Sequence, residues 1–319
     1  MKHRDKYPTR EVDPENFLDN EEINSMLERT DEFTFTQEDW VRLLNCVHCN
    51  ECGTSEERAR LNQKFLQDGN TIPGLDAMIH NFKKNGTPYH KNEMRITKPE
   101  GIPASSDTLF FMGCLSTIKI PRFTSNALEY LYQQGLDFTI LDKEICCGYP
   151  LYVSGAMKEY RELQARNLDI FKDFKKVICL CPACFFVFTQ DYPEMDIEYA
   201  FISDYLEPAK TEKSGSVGVQ HLCQLKNRGY PHVAGNVDKI LMNSGYDIEP
   251  VPHWCCGGGI GYMHRTDVID KIAMKRMGDF AGDYMTTYCP GCYWIMKRFR
   301  KRAGTSARLK DIFALLMDS

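Results

Sequence analysis

The chain has 319 residues, enough for two domains of ordinary size, and its 43% hydrophobic and 26% charged residues are those of a globular protein. A net charge of −5 excludes the basic field that nucleic-acid binding needs. No run approaches the roughly 18–20 apolar residues of a membrane span, and the opening MKHRDKYPTREVDPENF lacks the apolar centre of a secretory signal. A cytoplasmic location is therefore expected, with any membrane association made through a partner.

Residues 1–36 are charged and lack a sustained apolar period, the mark of a partner-binding arm or a disordered segment. Gln37–Asn45 predicts a short helix leading into Cys46-Val-His-Cys49-Asn-Glu-Cys52. Thr54–Leu66 predicts a second helix, and the polar stretch Asp68–Ser106 a connection. Leu109–Met112 (LFFM) reads as a strand ending at Gly113-Cys114, followed by an amphipathic helix at Arg122–Gln134. Phe138–Leu141 is strand-like before Cys146-Cys147-Gly148; Ala156–Phe171 is helical; Val177–Leu180 is a strand before Cys181-Pro-Ala-Cys184. The second half repeats the order, with strands at Val217–Leu222 before Cys223, Ile248–Val251 before Cys255 and Tyr284–Tyr288 before Cys289. The expected class is α/β: two tandem related domains of parallel-sheet βαβ units, 107–213 and 214–319, after a small helical N-terminal extension, 1–106.

The fourteen cysteines follow no export signal, so ligands or redox groups are expected before disulfides. Ten form two sets of five. Cys114 is followed after 31 residues by Cys146 and Cys147, and after 33 more by Cys181 and Cys184. Cys223 is followed after 31 by Cys255 and Cys256, and after 32 by Cys289 and Cys292. The offset is 109 for the first three members and 108 for the last two, which identifies a duplicated module. All ten fall just after strand ends, where an open parallel sheet gathers its ligands. Helix N-termini there favour thiolate and an anionic cluster. Gly148 and Gly257, each after a Cys-Cys pair, are expected to let the backbone approach a cofactor closely. Tetrahedral zinc takes four ligands, whereas five recur here, and adjacent cysteines suit a group with several metal ions.

The pattern C-x31-CCG-x33-CxxC followed by C-x31-CCG-x32-CxxC resembles the twin cysteine-rich CCG domains of the heterodisulfide reductase B/D subunit family, from about residue 107 to the end. The resemblance implies two noncubane [4Fe–4S] clusters, one on Cys114, Cys146, Cys147, Cys181 and Cys184, the other on Cys223, Cys255, Cys256, Cys289 and Cys292. It implies an oxidoreductase subunit that reduces, or forms, a disulfide of small thiols such as CoM-S-S-CoB between the clusters by one-electron steps. Ferredoxin-like and flavin or cytochrome subunits are the partners it implies. Related domains in glycolate, lactate and glycerol-phosphate dehydrogenase complexes imply the other reading, an iron–sulfur electron-transfer subunit.

Cys46, Cys49 and Cys52 are the first three ligands of a ferredoxin-type motif whose fourth cysteine is missing: Gly53-Thr54-Ser55-Glu56 follows. A further cluster with a non-cysteine ligand, a zinc site using His48, and a decayed motif all remain open. Cys179 has no counterpart, since Thr287 stands at the matching position, and is expected to be a buried strand thiol. His221, Lys226 and Arg228 flank Cys223, His264 and Arg265 follow the Gly257–Gly259 run, and Lys119 and Arg122 follow Cys114. Any of these could receive an anionic substrate group, or serve as ordinary surface charge.

Overall fold

A computed structural model describes residues 18–29, 34–91, 93–259 and 266–317. It holds two parallel sheets built to one plan. In the first lobe β1 (Thr108–Phe111), β2 (Lys176–Cys179) and β3 (Glu198–Phe201) run in the order β1-β2-β3, with Leu109 beside Val177 and Val177 beside Tyr199. Beyond β1 lies a single parallel bridge, Leu109 to Thr139. In the second lobe β4 (Ser216–Val219), β5 (Asp247–Glu249), β6 (Tyr284–Thr286) and β7 (Arg308–Leu309) run in the order β5-β4-β6-β7. The bridge at Thr139 occupies the place of β5, so the two sheets share one topology.

The expected strands are present within a few residues, except Phe138–Leu141. There only Thr139 pairs, exchanging bonds with Thr108 and Phe110 (2.9 Å each), and its hydroxyl turns to the Pro103 carbonyl (2.9 Å). Buried apolar strands account for the pairing: Leu109, Phe110, Phe111, Val177 and Ile178 are fully buried, as near-continuous apolar runs in parallel sheets are. Helix Pro182–Gln190 packs on β2 and β3 and Met157–Phe171 reaches β1 through Phe171 and Phe111, while His232–Asn243 packs on β5 of the second sheet. Proline at the first turn starts Pro121–Gln133, Pro182–Gln190 and Pro290–Phe299, where a missing N–H costs nothing.

Residues 18–29 are more ordered than the composition of the N-terminal segment suggests. Asn20–Glu28 is a helix started by a capping box between Asp19 and Glu22, and Ile23 and Met26 on its inner face pack with Leu18, Leu43 and Leu61. Residues 1–17 and 30–33 lie outside the described residues. Within the supposed connection Asp68–Ser106, a helix runs from Leu75 to Asn85 between left-handed Gly74 and Gly86, burying Leu75, Met78 and Phe82. Three apolar side chains spaced one helical face apart outweigh the polar composition of that stretch.

The lobes grip one another by exchange. The short Cys114–Lys119 helix of the first lobe contacts the Pro290–Phe299 helix of the second, and the Cys223–Lys226 helix of the second contacts Pro182–Gln190 of the first. Phe123 meets Tyr293 at 5.0 Å and Phe313 at 5.5 Å, and Phe185 meets Tyr230 at 5.4 Å. Asn126 donates to Asp311 at 2.8 Å across the same seam. One continuous apolar core results.

Candidate functional site

Each lobe brings its five cysteines to the carboxyl end of its sheet. Cys114 begins a helix three residues beyond β1, Cys181 caps a helix two residues beyond β2, and Cys146-Cys147 come in on the loop from the Thr139 bridge. In the first lobe Cys114 Sγ lies 3.3 Å from Cys146 Sγ, and the Cys147, Cys181 and Cys184 thiols are near enough to shift one another's ionisation. In the second, Cys223 Sγ lies 3.8 Å from Cys255 Sγ, Cys256 Sγ lies 3.3 Å from Cys292 Sγ, and Cys289 is bonded to Cys292. Six of the ten are buried and four half-buried; none forms a disulfide.

Backbone donors point at these sulfurs. Gly257 N–H donates to Cys255 Sγ and Gly258 N–H to Cys256 Sγ (3.3 Å each), and Cys292 N–H donates to Cys289 Sγ at 3.4 Å. Such bonds stabilise thiolate. Without a cation, however, five buried thiols cannot ionise together. Cys146 is held well below the usual thiol range because the Cys114 and Cys147 thiols donate to it, while Cys114, Cys147 and Cys184 are pushed well above. In the second lobe Cys256 takes the low position, bonded to Cys255 and Cys292, and those two are pushed up. Cationic metal among the sulfurs removes this conflict and lets all five ionise. Among the described residues no group of three or more His, Cys, Asp or Glu side chains is arranged to hold a single metal ion. The donor set, five thiols including an adjacent pair, fits a group with several metal ions better than one four-coordinate ion.

The two sites are neighbours. Helix exchange brings the Cys181 end of the first near the Cys289 end of the second, close enough that negative charge on Cys181 raises Cys289, after burial itself. Cys179, between the sheet and the first site, is fully buried on β2.

The supporting layers hold the loops. In the first lobe buried Glu144 accepts from Met112 N–H and Gly113 N–H (2.6 Å each), tying the Cys146 loop to the Cys114 turn, and burial pushes its carboxyl up to about 8. Asn167 donates to the Cys146 carbonyl and the Tyr192 hydroxyl to the Cys147 carbonyl (2.9 Å each). Gly148 and Gly257 serve the backbone first: φ is +89° and +82°, and a Cβ on Gly148 would lie 2.6 Å from the Tyr160 ring.

The polar residues flanking Cys223 are engaged within the chain. His221 is buried, its Nδ1 bonded to the Tyr288 hydroxyl (3.2 Å) and its Nε2 lying 3.1 Å from an Asp238 carboxyl oxygen. Lys226 lies 3.7 Å from Glu51. Arg228 donates to Glu56 (3.0 Å) and Gln224 (2.7 Å) over the Phe186 ring. His264 and Arg265 lie outside the described residues. Lys119 instead sits over Tyr89 (4.7 Å) at a cavity of about 450 Å³ that Lys91 and Arg95 also line. Tyr89 is near enough to Cys114, Cys146 and Cys181 that they add to burial in raising its hydroxyl.

Sequence reasoning missed how the N-terminal cysteines dock. Cys49 lies near Cys255, whose thiol helps bring the Cys49 thiol down to about 6. The His48 carbonyl accepts from Gln224 (2.7 Å), the Cys49 carbonyl accepts from Asn227 (2.8 Å), and a Cβ on Gly259 would overlap the Val47 backbone. No local pattern announces contacts between residues so far apart in the chain.

The cysteine-rich CCG domain matches residues 108–189 and 217–297, one copy in each lobe. The chain belongs to the CCG cysteine-rich domain family. Among its CCG relatives, an uncharacterised iron–sulfur protein of Methanocaldococcus jannaschii is 27% identical over 220 residues, covering 63% of this chain and 43% of that protein. A CoM/CoB fumarate reductase subunit of Methanothermobacter marburgensis is 25% identical over 224 residues, covering 65% and 45%. An anaerobic glycerol-3-phosphate dehydrogenase subunit of Escherichia coli is 21% identical over 234 residues, covering 65% and 57%. The chain thus spans roughly half the length of these relatives. Among the described residues no helix is long and apolar enough to cross a membrane.

Proposed function

We propose that this chain is the iron–sulfur catalytic subunit of a heterodisulfide-reductase-type complex, with one noncubane [4Fe–4S] cluster on each quintet. The reaction is RS–SR′ + 2e⁻ + 2H⁺ → RSH + R′SH, or its reverse, and the clusters would supply the electrons one at a time. The observation that carries the reading is the exchange of helices at the seam, which sets two complete thiol quintets beside each other. A disulfide needs two electrons and leaves two sulfurs, so two adjacent one-electron sites match its stoichiometry. The chain's own groups exclude water and fix the loops: Phe185 and Tyr293 seal the seam, and Glu144 and Asn167 hold the Cys146 turn. Lys119 offers positive charge to a carboxylate, sulfonate or phosphate on the thiol, while Lys91 and Arg95 at the same cavity are paired with Glu93. Ferredoxin-like and flavin or cytochrome subunits are the expected electron partners.

The test is anaerobic purification, iron and sulfide analysis, and viologen-linked reduction of small disulfides, with EPR before and after thiol addition. Turnover and a thiol-dependent change of signal support the proposal. Intact clusters with neither result move the chain to the second reading, an electron-transfer subunit of a dehydrogenase complex, which the likeness to the glycerol-3-phosphate dehydrogenase subunit favours.

A further inference from the structure

Cys46, Cys49 and Cys52 line one cavity of about 720 Å³, walled also by Leu18, Asn20, Arg58 and the carboxylate residues Asp19, Glu21 and Glu51. His48 and Asn50, between these cysteines, have left-handed backbones (φ +51° and +60°), which few residues other than glycine adopt without cost. The turn is held there from outside. Asn20 donates to the Cys52 carbonyl (2.9 Å), Asn50 donates to the Asn227 carbonyl (3.0 Å), and His48 N–H donates to Cys46 Sγ (3.2 Å). The His48 ring is turned to Ser55, at 3.1 Å.

Arg58 is the decisive residue. It is 3% exposed, one Nη donates to the Leu18 carbonyl, and its Nε and other Nη are buried with no hydrogen-bond partner. A buried guanidinium with idle donors is costly unless negative charge lies against it. Three thiolates around a cavity supply such charge, and a metal–sulfide group among them would give the idle donors acceptors.

We propose that Cys46, Cys49 and Cys52 hold a third iron–sulfur cluster, with Arg58 as its buried counter-charge and a non-cysteine ligand completing it from the cavity. The cysteine inventory leaves no fourth: ten belong to the quintets and Cys179 is sealed in β2. The bonds that Asn227 makes to the Cys49 carbonyl and accepts from Asn50 set this cluster directly against the second lobe. The inference rests on the iron–sulfur reading of the chain.

The test uses the full chain, prepared anaerobically, with iron, sulfide and zinc measured and EPR recorded at stepped potentials. A variant carrying Cys46→Ser and Cys52→Ser is expected to lose one set of signals and the matching iron and sulfide, and to keep the remainder. Unchanged iron and spectra in that variant overturn the proposal, as does zinc bound at these cysteines in the wild type. Should that variant not fold, Arg58→Met decides. It is expected to keep its iron while the midpoint potential of one signal falls, because reduction then adds negative charge where a buried positive charge is gone; Arg58→Lys is expected to restore most of the shift. If no midpoint moves, the proposal fails. A wild-type chain without iron sinks the reading of the quintets as well, whereas iron indifferent to Cys46, Cys52 and Arg58 sinks this inference alone.

Discussion

The two lobes carry the same cysteines on the same sheet plan, yet the groups behind the cysteines differ at matching positions. Glu144 of the first lobe corresponds to His253 of the second, and Met112 to His221, at the offset of 109 that relates the cysteines. In the first lobe a buried carboxyl group accepts two backbone N–H bonds. In the second, two imidazole rings lie 4.6 Å apart, one of them fixed by Asp238 and Tyr288. Behind them Asn167 of the first lobe, bonded to the Cys146 carbonyl, corresponds to Arg276, which donates to Gln220 at 2.6 Å. Duplication has kept the sulfur donors and changed what surrounds them. Since charge and hydrogen bonds near a cluster set its potential, clusters held at the two quintets under the proposed function would have unequal potentials.

The comparison breaks most directly at the sulfurs. Cys147→Ser and Cys256→Ser are each expected to empty their own lobe and leave the other loaded, removing about half the quintet-bound iron. Iron and sulfide analysis checks this, and both variants are expected to lose disulfide turnover. If either variant empties both lobes, the sites are not independent and the twin description is wrong.

Backbone demands come next. Gly148→Ala puts a Cβ 2.6 Å from the Tyr160 ring at φ +89°, while Gly257→Ala meets Ile272 only at 3.2 Å, at φ +82°. The left-handed backbone alone costs about 1–2 kcal/mol in each, and overpacking adds about 1–3 kcal/mol chiefly in the first lobe. Denaturant unfolding is expected to show Gly148→Ala as the more damaging; the opposite order would mean that Tyr160 swings aside freely. For the supporting carboxyl group, Glu144→Ala leaves two buried N–H groups unpaired, a loss of about 2–3 kcal/mol, while Glu144→Gln keeps acceptor oxygen and loses less.

How much of this was legible in the sequence follows from which interactions are local. The quintets, the strands that end at them and the helices Pro121–Gln133 and Met157–Phe171 follow from periodicity and repeat spacing, which are local. The helix Leu75–Asn85 had its signal too, in Leu75, Met78 and Phe82 between two glycines, but the surrounding polar residues masked it. Glu198–Phe201 and Arg308–Leu309 are short edge strands whose pairing depends on β2 and β6 rather than on their own composition. The bonds of the His48 and Cys49 carbonyls to Gln224 and Asn227 and the exchange of helices at the seam are long-range matters of shape. The 109-residue offset does expose the divergence of Glu144 and His253, because the repeat aligns them.

The smallest expected difference concerns Arg228 and Lys119, again a matched pair at the offset of 109. Both place a cation over an aromatic ring, Arg228 over Phe186 at 4.4 Å and Lys119 over Tyr89 at 4.7 Å. Arg228 has a side chain only 6% exposed and joins three parts of the molecule: its own lobe through Gln224, the N-terminal helices through Glu56, and the first lobe through Phe186. Lys119 is exposed, at the rim of the cavity beside Tyr89. Arg228→Ala is therefore expected to destabilise by about 2 kcal/mol, from lost packing and charge-assisted bonds, and Lys119→Ala by about 0.5 kcal/mol. Activity should rank them the other way. If the cavity beside Tyr89 receives the anionic part of a thiol, Lys119→Ala raises KM for a charged disulfide and leaves kcat and an uncharged disulfide unaffected. Equal KM for both substrates in wild type and variant would remove the cavity from the substrate path while leaving the quintets untouched.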